Sequence, residues 1–182
     1  LDGKILIEPG FPAEWKFASL ETPDITLDYK RKRNQETYVI RHAFPHEPRV
    51  VLSLPALSDR IGSLTVNGTE AEFSPAEGAV GTPRIEVSLA AADKYHVRIR
   101  WKGDPPEKPE LPSRIVTGDT LQLSFKKARI TDVHDPQFIL AWLATGDRTL
   151  RAGVEGTGHR TCFFRAEQGD LSWWMPVGVE IM

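Results

Sequence analysis

The sequence predicts an all-β protein built as two antiparallel β-sandwiches in tandem, jelly-roll or immunoglobulin-like, over residues 1–103 and 113–182. Three observations carry that expectation. Apolar residues recur at every second position along short runs in both halves, the period of a half-buried strand. No segment of ten or more residues has the helical period. Turn signals rich in Gly, Pro, Asn and Asp punctuate the runs. The strand content should therefore exceed about 40 %, with no helix longer than about two turns.

Residues 4–8 form either an opening strand or a linker. Pro9 and Pro12 lock φ and remove backbone donors, so the chain turns a corner before Trp15. Residues 24–29 then alternate, with Ile25, Leu27 and Tyr29 opposed to Asp24, Thr26 and Asp28. The basic run Lys30, Arg31, Lys32, Arg33 is expected to end this strand as a solvated hairpin tip that discourages edge pairing, with 34–36 turning into a strand over 37–42. The competing reading of four cations is a phosphate-binding patch.

Residues 49–54 place Val50, Leu52 and Leu54 on one face, and Pro55 stops them. Asn67 and Gly68 sit between amphipathic runs, the strongest short hairpin signal, because both central residues of a type I′ turn need φ > 0. A loop containing Pro75, Gly78, Gly81 and Pro83 leads to Ile85, Val87 and Leu89. The strand over 95–101 follows. There Tyr95, Val97, Ile99 and Trp101 share one face, and His96, Arg98, Arg100 and Lys102 present a cationic face to water.

Four prolines within 103–112 admit neither a central strand nor a helix, which marks a domain junction with few contacts of its own. In the second half Leu121, Leu123 and Phe125 alternate with polar residues, residues 149–154 alternate again, and strands are expected over 159–165 and 171–177. The continuously apolar run 138–143 reads as a fully buried strand. Residues 178–182 stop within an apolar strand, as a truncated fragment would.

The run Ile7-Glu-Pro-Gly-Phe-Pro-Ala-Glu-Trp15, followed by Thr22-Pro-Asp-Ile-Thr-Leu-Asp-Tyr29, resembles the opening of the β-sandwich that follows the catalytic helical barrel in six-hairpin, (α/α)6-barrel glycoside hydrolases of the rhamnosidase-like kind. It is especially similar to domains of uncharacterised function in gut Bacteroidales. The resemblance covers residues 1 to 102. It implies that the proline corner and Trp15 form a joint to a barrel in the same polypeptide, that the catalytic carboxylates lie in that barrel, and that the protein works in the periplasm or at the cell surface.

With 182 residues, 40 % hydrophobic and 26 % charged, the chain can bury one sizeable core or two small ones. A net charge of −2 gives no global field for nucleic acid or an anionic membrane, and neither is expected as a partner. No run approaches the roughly 18 apolar residues of a membrane span, and residues 1–4 lack signal-peptide features, the pattern of a mature product or an excised fragment. The single cysteine, Cys162, excludes an internal disulfide.

Each chemical constellation has a plainer reading. Asp24 and Asp28 share a strand face about 13 Å apart, beyond the roughly 5 to 9.5 Å of a glycosidase carboxyl pair. Asp132, His134 and Asp135 carry metal-ligand chemistry, but Asp135 before Pro136 is an ordinary turn opener. His159 and Cys162 are three apart, so on a strand they face opposite sides and a thiol–base pair cannot form locally. No nucleophile elbow, phosphate loop or metal-spacing motif occurs, so no catalytic, metal-binding or cofactor-binding residue is expected.

Aromatics remain. Trp15, Trp101 and Trp142 read as core or joint residues, whereas Trp173 and Trp174 point to opposite faces of one strand, leaving one for a glycan platform or an interdomain contact. Trp15, Trp173, Trp174 and His159 are the residues singled out for such contact. Arg160 and Asp170 are the further polar neighbours in sequence. The sequence points to a non-catalytic accessory or scaffold module of a bacterial carbohydrate-active enzyme. A free-standing carbohydrate-binding module and a protein–protein interaction domain are the alternatives.

Overall fold

The computed structural model describes residues 4–12, 14–44, 49–110 and 112–182. Residues 1–3 and Ala13 of the opening run, and Leu111 of the proline-rich stretch, lie outside the described residues. Strands account for 61 % of what is described and no helix occurs there, so the all-β expectation holds. The chain divides into two compact units, Leu1–Ala76 with Arg84–Pro105, and Glu77–Pro83 with Pro106–Met182.

Unit 1 contains β1 (Lys4–Ile7), β2 (Phe17–Glu21), β3 (Ile25–Lys32), β4 (Gln35–His42), β5 (Arg49–Pro55), β6 (Arg60–Val66), β7 (Thr69–Glu70), β8 (Ser74–Pro75), β9 (Arg84–Leu89) and β10 (Lys94–Lys102). They form a sheet ordered β1-β5-β9-β8 and another ordered β2-β3-β4-β10-β6-β7. Pairing is antiparallel except for β1, which runs parallel to β5. Strand β10 occupies an inner position of the larger sheet, and its Tyr95, Val97, Ile99 and Trp101 are all buried, as alternation requires. Asn67 and Gly68 take φ of 52° and 85°, both values the type I′ turn needs. Asn67 also ties the hairpin to β10, accepting from the His96 N–H at 2.7 Å and donating to the Lys94 carbonyl at 3.1 Å.

The basic run departs from expectation. Lys30, Arg31 and Lys32 continue β3, and the turn is confined to Arg33, at φ 55°, and Asn34. Asn34 donates its side-chain amide to the Trp101 carbonyl at 2.8 Å, which anchors so short a turn. Consequently β4 begins at Gln35, and Glu36, expected in the turn, is an inward-facing strand residue.

Unit 2 contains β11 (Arg114–Ile115), β12 (Thr120–Ser124), β13 (Arg129–His134), β14 (Leu140–Thr145), β15 (Thr149–Val154), β16 (Gly158–Gln168) and β17 (Leu171–Ile181). The sheets are β11-β17-β16-β13 and β12-β15-β14. The β16–β17 hairpin pairs eleven residues on each strand, with Cys162, Phe164, Ala166, Trp173, Met175, Val177 and Val179 turned into the core. Strand β11 pairs only with Glu180 and Ile181, so the β17 edge is open at Trp174. Residues 79–81 fill it: the Trp174 N–H donates to the Ala79 carbonyl and the Gly81 N–H to the Trp174 carbonyl, both at 2.8 Å. The sequence gives no sign that 77–83, read as a loop of the first sandwich, joins the second unit.

The reading of 138–143 as a buried strand is corrected. Strand β14 is an edge of a three-stranded sheet, Phe138 is 90 % exposed at φ 52°, and Trp142 and Leu143 are 47 % and 45 % exposed. Trp142, expected as core or joint, instead lies across buried Gly153 on β15, where an added Cβ would fall against the indole nitrogen. A large ring thus covers backbone that glycine leaves bare.

The proline-rich junction is more firmly held than expected. The Glu107 carboxylate accepts three successive backbone N–H groups, from Lys126 at 2.7 Å, Lys127 at 2.8 Å and Ala128 at 3.1 Å. The Glu107 N–H donates to Gln168 Oε1 at 2.8 Å. Proline lacks its own N–H donor, but the residues between prolines keep theirs and a carboxylate there can still cap a turn.

Candidate functional site

The four singled-out residues lie in separate places. Trp173 is 2 % exposed and belongs to the core of unit 2. Its edge reaches a groove of about 270 Å³ shared with Gly81, Pro83, Pro106, Met175 and Pro176. Glu107 also borders that groove, but its carboxylate is already occupied by backbone donors. His159 is exposed and sits 3.4 Å from Glu180. The register aligns it with Glu180, six residues along β17 from Trp174, or about 20 Å at strand rise. His159 and Trp174 therefore cannot serve one ligand ring.

At the opening corner the Trp15 N–H donates to the Pro12 carbonyl at 3.0 Å, closing the proline turn. The ring packed against the sandwich is that of Phe11, stacked on Tyr29 at 5.0 Å. Trp15 stacks behind Phe11 at 6.3 Å and stays 48 % exposed. Trp15, expected as the joint residue, is thus the outer ring, and Phe11 is the one in contact.

Trp174 is half-buried on the outward face of the β16–β17 hairpin, and tertiary register gathers groups around it that sequence proximity does not. Arg165 lies directly across the strand pair from Trp174, and Asp132 across from Arg165. Arg165 donates to Ser172 Oγ at 2.9 Å, which holds the guanidinium along the sheet. His134 stands edge-on to the indole at 6.4 Å, inclined by 71°, and packs beside Phe163 at 6.0 Å. This face offers aromatic surface flanked by a fixed cation and an imidazole, which suits stacking combined with hydrogen bonding. Arg160 donates to the Thr157 carbonyl at 3.0 Å, and Asp170 lies at the β16–β17 turn.

The two carboxylates considered as metal ligands are tied to nearby backbone. Asp132 accepts from the Val133 N–H and Asp135 from the Leu140 N–H, both at 2.8 Å, and among the described residues no three His, Cys, Asp or Glu side chains gather as a metal site. Burial, reinforced by the Asp135 charge, pushes the Cys162 thiol up to about 12, so it is protonated and unreactive.

Unit 1 holds one group that pattern reading passed over. Glu36 is 2 % exposed and accepts from Tyr29 Oη at 2.7 Å and Trp101 Nε1 at 2.8 Å. Burial drives its carboxyl above the usual range, opposed by these donors and by Arg31. Tyr29 and Tyr38 are driven upward in turn, first by burial and then by Glu36. A carboxyl closed to solvent and saturated by core donors specifies packing and meets no substrate. No family model, curated protein or solved structure matches this chain.

Proposed function

We propose that this chain is a non-catalytic accessory module of a bacterial carbohydrate-active enzyme, working outside the cytoplasm and bracing a catalytic helical barrel in the same polypeptide. The observation that carries the bracing role is the edge strand β14, where Trp142 and Leu143, with Phe138 just before the strand, expose apolar surface within six residues. Surface of that kind suits a permanent neighbour better than water. The carbohydrate context rests on the resemblance of residues 1 to 102. In the polypeptide as encoded, amide exchange at β14 is expected to slow when the neighbouring barrel is present. Equal exchange with and without it, or natural chain ends on both sides, overturns the reading.

The Trp174 face favours a second reading, a carbohydrate-binding module, because Arg165 and His134 flank a half-buried indole. Calorimetric titration with bacterial, plant and host glycans separates the two. The bracing reading expects Kd for neutral oligosaccharides weaker than about 1 mM. Micromolar binding lost in Trp174→Ala favours the binding module.

A further inference from the structure

The six-stranded sheet of unit 1 has a second face, turned away from its core, that neither reading above uses. Cross-strand register arranges it in lines. Phe17, Lys30, Thr37, Arg98 and Thr65 lie along one, and Lys32, Gln35, Arg100 and Ser63 along the next. Lys30, Lys32, Arg98 and Arg100 are all exposed, and the intervening β4 contributes Thr37 and Gln35. Strand geometry sets the cations of each pair about 7 Å apart and the two pairs about 10 Å apart. In a protein of net charge −2 this is local segregation rather than overall basicity.

Three further features bear on what such a face would accept. At its β2 edge a groove of about 480 Å³ opens between Lys16 and Phe17 on one side and Lys30, Lys32, Gln35 and Thr37 on the other. Phe17 is 77 % exposed there, an aromatic surface at the rim of the cations. One line further along, the His96 imidazole is held below its ordinary value, first by burial and then by Arg98 and Lys94. Two acids border the cations: Asp28 lies on the same line as His96 and accepts from Ser19 Oγ at 2.8 Å, and exposed Glu70 on β7 ends the first line beyond Thr65. Glu21 lies one line beyond that of Asp28, on the line that also carries Arg41 and Lys94.

We propose that this face binds an acidic polysaccharide, with carboxylate or sulfate groups seated on the Arg98–Arg100 and Lys30–Lys32 pairs. Arginine meets planar oxyanions through two parallel hydrogen bonds, and lysine supplies a point charge. The hydroxyl and amide side chains between the pairs match sugar hydroxyls, and Phe17 suits the apolar face of one sugar ring. Single-stranded nucleic acid is disfavoured because successive bases need a row of aromatic platforms, and among the described residues the two cationic lines carry one aromatic ring, Phe17, at their edge. The inference rests on unit 1's own surface and goes beyond the bracing role.

The test is calorimetric titration of the whole chain at low and high salt with tetragalacturonate, a sulfated heparin tetrasaccharide, neutral galactotetraose and oligo(dT). The proposal expects binding of one or both acidic sugars, weakened by salt and reduced about tenfold or more in Arg98→Glu/Arg100→Glu. Arg151→Glu, an exposed charge reversal in unit 2, should leave binding unchanged. The two acidic probes separate carboxylate from sulfate preference. In the unmutated chain, NMR shift changes on binding should fall on β3, β4 and β10, which keeps the test open should the double variant misfold. Equal binding of the neutral sugar, tighter binding of oligo(dT), shift changes elsewhere, or no binding of either acidic sugar overturns it.

Discussion

The two units share a two-sheet plan but fill it with different chemistry. In unit 1 the large sheet closes over a carboxyl, with Tyr29, Tyr38 and Trp101 gathered on Glu36. In unit 2 the interior around the small thiol of Cys162 is built on apolar Leu121, Leu123, Phe164, Trp173 and Val177, with the buried polar side chains Gln168 and Ser172 bonded to Glu107 and Arg165. An apolar site tolerates loss of a small member, because only transfer and cavity energy are forfeited. A polar core fails when its acceptor is removed, since each donor left behind remains buried without a partner.

The largest expected effect tests that contrast directly. Glu36→Ala strands the Trp101 indole N–H and the Tyr29 hydroxyl, and removes buried volume as well. It should cost about 3 to 5 kcal/mol. Cys162→Ala removes a single sulfur from an apolar site and should cost about 1 to 2 kcal/mol. Urea denaturation of both variants measures the difference. Equal losses would mean that the Glu36 network is incidental packing.

Much of unit 1 could be read in advance because one physical signal dominated each segment. The inward set of β10 followed from strict alternation, and the hairpin at Asn67 and Gly68 from the φ requirement of its turn. Glu36 could not be read, because a charged residue at an inward position breaks the alternation that identifies a strand, and so it resembled the turn next to it. Residues 138–143 failed in the opposite sense. Apolar content signals burial only when both sheet faces and both edges are covered, and β14 has an open edge. The groups around Trp174 were hidden for a third reason: His134, Arg165 and residues 79–81 reach it through registers set by distant strands.

An intermediate effect uses pH, where one glutamate from each unit should respond with opposite sign. Glu36 binds its proton more tightly folded than unfolded. Its contribution is therefore full below the ordinary value of 4.5 and is lost as pH rises through the higher folded value. Glu107 is the reverse: although partial burial raises it, the backbone donors of 126–128 prevail and hold it below 4.5. Its contribution is present above 4.5 and lost as pH falls through the lower folded value. Relative to the unmutated chain, Glu36→Gln should improve as pH rises from 4.5, whereas Glu107→Gln should improve as pH falls below it. At neutral pH Glu107→Gln should cost about 1 to 2 kcal/mol, limited by solvent screening of a partly exposed carboxylate. Stability curves for the two variants that shift in the same direction would remove the distinction between a buried acid and a capping acid.

The smallest expected effect concerns His159 and Cys162, the one pair whose spacing suggested thiol chemistry. They occupy the same strand, β16, yet the pleat sends Cys162 inward and leaves His159 in water beside Glu180. An exposed polar contact of this kind is worth between zero and about 1 kcal/mol, so His159→Ala should change stability by no more than about 0.5 kcal/mol. Cys162 is buried and protonated up to about 12, so a disulfide reagent at pH 8 should modify it only when β16 opens. Because the histidine neither touches the thiol nor gates that opening, the labelling rate should be the same with and without it. A fall in rate in His159→Ala would mean that the imidazole activates Cys162. In that event unit 2 would carry a reactive thiol where the packing predicts an inert one.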